Sequence, residues 1–227
     1  MGDAVSVVVT SCGRIDLLNK TLESFLRFNT YKNIAQIIII DDSGHFENVR
    51  ASLEKILENL RGTYEIEVIV NRENLGQVRS IDIAYSLVKH PYIFHLEDDW
   101  EFYQPSFIEY SLEILKKYPW IITVWLRSHL DTNGHPIEFI NGLPFGLLQL
   151  NYLNCWHGFT WNPGLRRLCD YKLIKNFSEH APGENSASIW YMKKGFRASI
   201  CSSPNGFVKH IGWDRSTSLI PGAKKAT

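Results

Sequence analysis

The chain has 227 residues, 44% of them hydrophobic and 21% charged, and its 24 basic side chains balance 24 acidic ones. That composition belongs to a globular protein with a core of its own, and the lack of a basic surplus argues against nucleic acid or an anionic membrane as the main partner. The longest nearly uninterrupted apolar stretches, Ile34 to Ile40 and Trp120 to Leu126, have seven residues each, against about 20 for a membrane span.

Ala4 to Thr10 crowds valines into a short run and reads as a strand. Ile15 to Phe28 switches to helical period, with Leu18, Leu22, Phe25 and Leu26 on one face. Ile37 to Ile40 is apolar at every position, as in a parallel strand covered on both faces. A charged helix over Asn48 to Leu60, a strand over Glu65 to Val70, a helix over Gln77 to Val88 and a strand over Tyr92 to Leu96 follow. Ser106 to Lys117 is a further helix and Ile121 to Leu126 a fifth strand. The alternation predicts βαβ crossovers and a mostly parallel, doubly wound sheet with helices on both faces. Beyond about residue 128 the pattern fades into Gly, Pro, Asn and aromatic residues, with one late helix, Ser186 to Lys194, and a short strand, Arg197 to Cys201. All seven tryptophans lie from residue 100 onward, where they either fill an irregular core or offer flat faces to sugar rings.

Cys12, Cys155, Cys169 and Cys201 are scattered and form no C-x-x-C pair, so free thiols in a reducing compartment are expected. The start, Met1-Gly2-Asp3-Ala4, lacks the basic n-region of a secretory signal, and the expected location is cytoplasmic.

In open α/β sheets ligands bind beyond the carboxyl ends of the strands. Those ends read Thr10-Ser11-Cys12-Gly13-Arg14, Asp41-Asp42-Ser43-Gly44, Asn71-Arg72-Glu73-Asn74-Leu75-Gly76 and Glu97-Asp98-Asp99, all polar. In the last of them an apolar strand runs into three consecutive acids. If the extended conformation persists, Glu97 and Asp99 share a side. Adjacent carboxylates repel, and a divalent cation is their natural neutraliser; hard oxygen ligands favour Mg²⁺ or Mn²⁺ over zinc. The bland alternative is an acidic, solvated turn. No G-x-G-x-x-G, P-loop, H-E-x-x-H or G-x-S-x-G pattern is present, so dehydrogenase, P-loop ATPase, zincin and α/β-hydrolase readings fall.

From Val5 to about Ser216 the sequence resembles a family 2 glycosyltransferase of the GT-A fold. The likeness is carried by Val5 to Ser11 with Ile37 to Asp42, by Asn74-Leu75-Gly76-Gln77-Val78-Arg79, by the D-x-D-like Leu96-Glu97-Asp98-Asp99 and by Lys209-His210-Ile211-Gly212-Trp213. The resemblance implies a single GT-A type domain over 1–227, with a nucleotide-sugar half (1–100) and an acceptor and catalytic half (101–227). It implies a metal-dependent, inverting transfer of a sugar from a nucleotide-diphosphate donor, UDP-linked, to a hydroxyl acceptor such as a glycan, with Mn²⁺ preferred to Mg²⁺. Asp99 and His210 would hold the metal, and Thr10, Ser11, Arg14, Asp41, Asp42, Asn71, Arg79, Glu97 and Asp98 would bind the donor. Glu184, opening the late helix, would be the catalytic base. Trp156, His157 and Trp161 would shape the acceptor pocket, with His157 as the alternative base. The rivals are a sugar-phosphate nucleotidyltransferase, whose glycine-rich loop is missing after the first strand, and a noncatalytic carbohydrate-binding module, which has no need of acids at four strand ends.

Overall fold

A computed structural model describes residues 2–58, 60–154 and 156–215; the expectation of a free thiol at Cys155 lies outside them. In chain order the strands are β1 (Val5–Ser11), β2 (Ile34–Asp41), β3 (Glu65–Val70), β4 (Tyr92–Glu97), β5 (Trp100–Phe102), β6 (Ile121–Trp125), β7 (Ile137–Phe139), β8 (Phe145–Leu148), β9 (Gly164–Arg167), β10 (Arg197–Cys201) and β11 (Val208–His210). The helices are α1 (Ile15–Phe28), α2 (Phe46–Leu57), α3 (Gln77–Ser86), α4 (Phe107–Lys117), α5 (Leu168–Ile174), α6 (Phe177–His180) and α7 (Glu184–Lys193).

The β-branched runs form the centre of a sheet ordered β3-β2-β1-β4-β9, parallel except for β9. Successive side chains of a strand point to opposite faces, and both faces here are apolar. Val5, Val7, Val9, Ile37 and Ile39 pack with Leu18, Leu22 and Phe25 of α1. Val8, Ile38 and Ile40 pack with Ile81, Ala84 and Tyr85 of α3. Gln36 is buried in this layer but fully bonded, accepting from Ser6 Oγ (2.7 Å) and donating to Glu67 Oε1 (2.9 Å) and Leu87 O (3.0 Å). The single α/β domain with a central mixed sheet agrees with the fold expected.

A second sheet, β6-β10-β8-β7, carries the later half. It meets the first along β9, where a Cβ on Gly164 would stand 3.2 Å from Val124 O. The chain then returns. At Gly206, whose φ is +72°, a Cβ would lie 2.6 Å from Arg127 O, so only glycine passes here. Beyond that crossing β11 pairs antiparallel with β5 and sets His210 opposite Trp100.

The three acids do not continue the strand. β4 ends at Glu97, and Asp98 and Asp99 form a turn into β5, so the shared side expected of Glu97 and Asp99 in an extended run is not how they meet. Thr21 on α1 fixes the turn: its hydroxyl donates to Asp98 O (2.8 Å) and accepts from Trp100 N (3.1 Å). Among the described residues no helix is long and apolar enough to cross a membrane.

Candidate active site

The carboxyl ends of β1, β2 and β4, with the loop before α3, enclose a cleft of about 440 Å³. Thr10, Ser11, Cys12, Arg14, Asp42, Asn74, Gly76, Gln77, Ser80, Glu97, Asp98, Asp99 and His210 line it.

The turn separates the acids into three environments. Asp98 faces inward, accepting from Ser11 Oγ (3.0 Å), from Arg14 Nε (3.1 Å) and from Arg14 Nη2. Burial raises its carboxyl to about 6 even against the neighbouring guanidinium. Asp99 takes Arg14 Nη1 at 2.9 Å and His210 Nε2 at 3.2 Å, both on Oδ2. Burial works to raise its carboxyl, but the bond to His210 and the charge of Arg14 win and hold it below the usual range. Glu97 accepts from Gln77 Nε2 (2.7 Å) and Trp100 Nε1 (3.2 Å). Burial, with repulsion from Asp99 and Glu184, pushes it up to about 8. One guanidinium thus neutralises two of the three acids.

A hard divalent cation fits these donors. Asp99 Oδ1 and His210 Nδ1 are both buried with no partner, a carboxylate oxygen and an imidazole nitrogen on side chains that already touch. Among the described residues no third carboxylate, thiol or imidazole completes a metal-binding group. Magnesium-type sites often use one or two protein ligands and fill the remaining positions with substrate phosphate and water. Two donors therefore suit a cation that arrives with a diphosphate.

Asp42 is a loop organiser as well as part of the wall. Its Oδ1 accepts from Asn71 Nδ2 (2.7 Å) and Leu75 N (2.8 Å), and its Oδ2 from Gly76 N (2.8 Å). Asp42→Ala would strand three donors, each charge-assisted bond being worth roughly 1.5–3 kcal/mol. The expected result is a clearly lower melting temperature, read by thermal denaturation, with disorder centred on residues 74–76.

Glu184 opens α7 and accepts Trp161 N on Oε1 at 2.7 Å. Burial raises its carboxyl, opposed by that bond and by Arg166 and Arg127. It does not line the cleft, though its charge reaches Glu97 and helps to raise that carboxyl.

Residues 6–167 match glycosyl transferase family 2, most of the chain. The chain belongs to this family. No curated protein sequence compared with it matches. The chain also shares its fold with solved structures. It resembles the mannosyltransferase PcManGT from Pyrobaculum calidifontis, in complex with GDP-Man and Mn²⁺, at 11% identity and TM-score 0.66 over 87% of this chain and 55% of that one. It resembles S. aureus TarS 1–349 with UDP at 15% identity and TM-score 0.61, over 90% of this chain and 59% of that one. For GalNAc-T7 with UDP, GalNAc and Mn²⁺ the values are 15% and 0.68, over 92% and 43%. The chain thus spans about half the length of these structures.

Of the donor-side residues expected, the fold brings Thr10, Ser11, Arg14, Asp42, Glu97, Asp98, Asp99 and His210 to one cleft. Three stand outside its lining. Asp41 is buried and accepts from Gly13 N (2.7 Å) and Ser43 N (2.9 Å), pinning two loops together. Asn71 bonds Asp42 and Ser80 Oγ (3.0 Å) behind the wall. Arg79 is exposed on α3, whereas Gln77 and Ser80, three residues apart on one helix face, point to the cleft. That spacing was available in the sequence, and Gln77 and Ser80 are the residues it would have found.

On the acceptor side, Trp161 is buried against Phe159 and Phe177 with its Nε1 unpartnered. Trp156 is half-buried and packs on Trp125. His157 accepts from Asn151 N on Nδ1 at 2.9 Å. Its proton therefore sits on Nε2, and while that bond lasts neither nitrogen is free to take another. Trp100 and Trp125 are core, whereas Trp213 is well exposed and packs against His210 at a centroid distance of 4.5 Å.

Proposed function

We propose that this chain is a metal-dependent, inverting glycosyltransferase that moves a sugar from a UDP-linked donor to a hydroxyl group of a glycan, with Mn²⁺ preferred. The observation that carries the reading is the convergence of Asp99, with an unpartnered buried Oδ1, and His210 at the mouth of a polar cleft beyond the ends of parallel strands. The GDP-Man, UDP and Mn²⁺ complexes of the fold neighbours agree with it.

In this reading Thr10, Ser11 and Asp42 line the end of the cleft that takes base and ribose. Asp99 and His210 would hold the cation, which when bound would supply Lewis-acid neutralisation of the leaving diphosphate. Arg14, paired with both acids, offsets their charge at the wall that the diphosphate would face. Gln77 and Glu97 form a bonded pair at the wall shared with the sugar.

Glu184 takes the proton of the acceptor hydroxyl. Its Oε1 is held by Trp161 N–H, and Oε2, without a protein partner among the described residues, is the basic atom. The acceptor oxygen then forms the new bond to the anomeric carbon as the bond to the diphosphate breaks, its electron pair leaving with the nucleotide. One displacement inverts the anomeric configuration. A carboxyl raised above the ordinary glutamate range is a better match to neutral operation than a free one. Below its pKa it is protonated and inactive, so kcat is expected to fall on the acid side at a pH above the usual 4.3 of glutamate. Cys12, Cys169 and Cys201 are free, which suits the reducing cytoplasm.

The test is a thermal-shift panel of UDP, GDP and free sugars, each with and without Mn²⁺. At about 100 times Kd a ligand stabilises by about 2.7 kcal/mol, or roughly 5–10 °C at this chain length. A shift that needs both UDP and Mn²⁺ is expected. Stabilisation by free sugar with neither would replace the reading by a carbohydrate-binding module.

A further inference from the structure

Arg166 lies on β9, and its guanidinium is buried. Among the described residues no carboxylate pairs with it. A buried guanidinium without a counter-ion is costly, so the bonds it does make are informative. Nη1 donates to Tyr85 Oη (2.6 Å), Nη2 donates to Thr160 O and, at 3.4 Å, to Asn162 O, and Nε has no partner. The ring of Phe159 lies 5.1 Å from its Cζ.

The Thr160 carbonyl and the Trp161 N–H belong to one peptide group. Its oxygen accepts from Arg166, and its N–H donates to Glu184 Oε1 at 2.7 Å. A trans peptide is planar and its C=O and N–H point in opposite directions, so the cation and the carboxylate sit at the two ends of one dipole. Each charge strengthens the hydrogen bond at the other end. The second grip, on Asn162 O, fixes the residue beyond. Two carbonyls of an irregular loop, on either side of Trp161, are thereby held by one side chain.

We propose that Arg166 and Glu184 form an ion pair bridged by the Thr160–Trp161 peptide, and that Arg166 is the positioning residue that orients Glu184 and keeps it ionised during transfer. The inference rests on the assignment of Glu184 as base. The charged groups facing Glu184 are Arg166 and Arg127, which favour its ionised form, and Glu97, which it repels. Arg127 is engaged with Asp131 through Nε (3.1 Å) and Nη2 (2.7 Å). Its charge is largely spent there, and Arg166 has no such competitor.

The experiment follows the Glu184 carboxyl by carbon-13 NMR, assigned with Glu184→Gln, alongside the pH profile of kcat in the wild type, Arg166→Lys and Arg166→Met. In the wild type the Trp161 amide proton is expected to move with the Glu184 titration, and in Glu184→Gln that movement should vanish. In Arg166→Met the carboxyl titration and the acid limb of kcat should both rise by about one pH unit, the low end for loss of a nearby opposite charge. Arg166→Lys, which keeps the charge, should restore most of it. A Trp161 amide indifferent to Glu184, which needs no Arg166 variant to observe, overturns the bridge. So does a folded Arg166→Met with an unchanged carboxyl titration. If the carboxyl titration rises but the kcat limb stays, the bridge stands and the assignment of Glu184 as base fails.

Discussion

Asp99→Asn is expected to abolish transfer while leaving the melting temperature of the ligand-free protein nearly unchanged. The amide is isosteric, keeps the backbone bond from Ile211 N to residue 99 O (2.8 Å), and leaves Arg14 fully engaged by Asp98. What goes is a charged oxygen of the Asp99–His210 pair assigned to the cation. Metal charge stabilisation is worth several kcal/mol in such transition states, so a loss of about 10³-fold or more in kcat is expected. The Mn²⁺-dependent part of the thermal shift with UDP should vanish together with activity. Turnover that survives in this variant, or in the wild type with excess chelator, would remove the metal from the reaction.

Glu184→Gln separates chemistry from binding. A general base typically contributes about 10² to 10⁴ in rate, and kcat should fall by that order with donor affinity little changed. Glutamine still accepts from Trp161 N, so the opening of α7 stays pinned and a large loss of stability is not expected. Loss of kcat and kcat/KM in equal proportion is the signature of an interaction made only in the transition state. If the variant keeps its turnover, the residue is a favourable charge at a helix start. Product configuration by NMR gives a separate check, because retention at the anomeric carbon is incompatible with a single displacement.

The first half of the chain was legible because its periods are long and clean. α1 falls at the bounds that its apolar stripe predicts, and β3 likewise. β2 begins three residues earlier than its unbroken apolar run, since Gln36 enters the core on the strength of side-chain bonds no pattern shows. In the later half β5, β7 and β11 have three residues each, too few for a period of two to register. β9 has four residues, two of them Arg166 and Arg167, and shows no apolar alternation, and α5 follows it without a break. The same blindness affected the site. Three acids in a row announced a polar edge, but the inward rotation of Asp98 depends on Arg14 and Thr21, which lie some 80 residues away in sequence. The grip of Arg166 on the 160–162 loop is likewise a tertiary fact, and a buried arginine leaves no trace in composition.

The guanidinium of Arg14 has one more consequence. Chains that depend on a metal for structure fold only once it is loaded, and chelators unfold them. Here a side chain carried by the protein itself already balances Asp98 and Asp99, so this turn does not need a cation to hold its two acids together. On the proposed metal requirement, the ion-free protein would therefore stay folded while inactive, and adding the ion back would return activity without refolding.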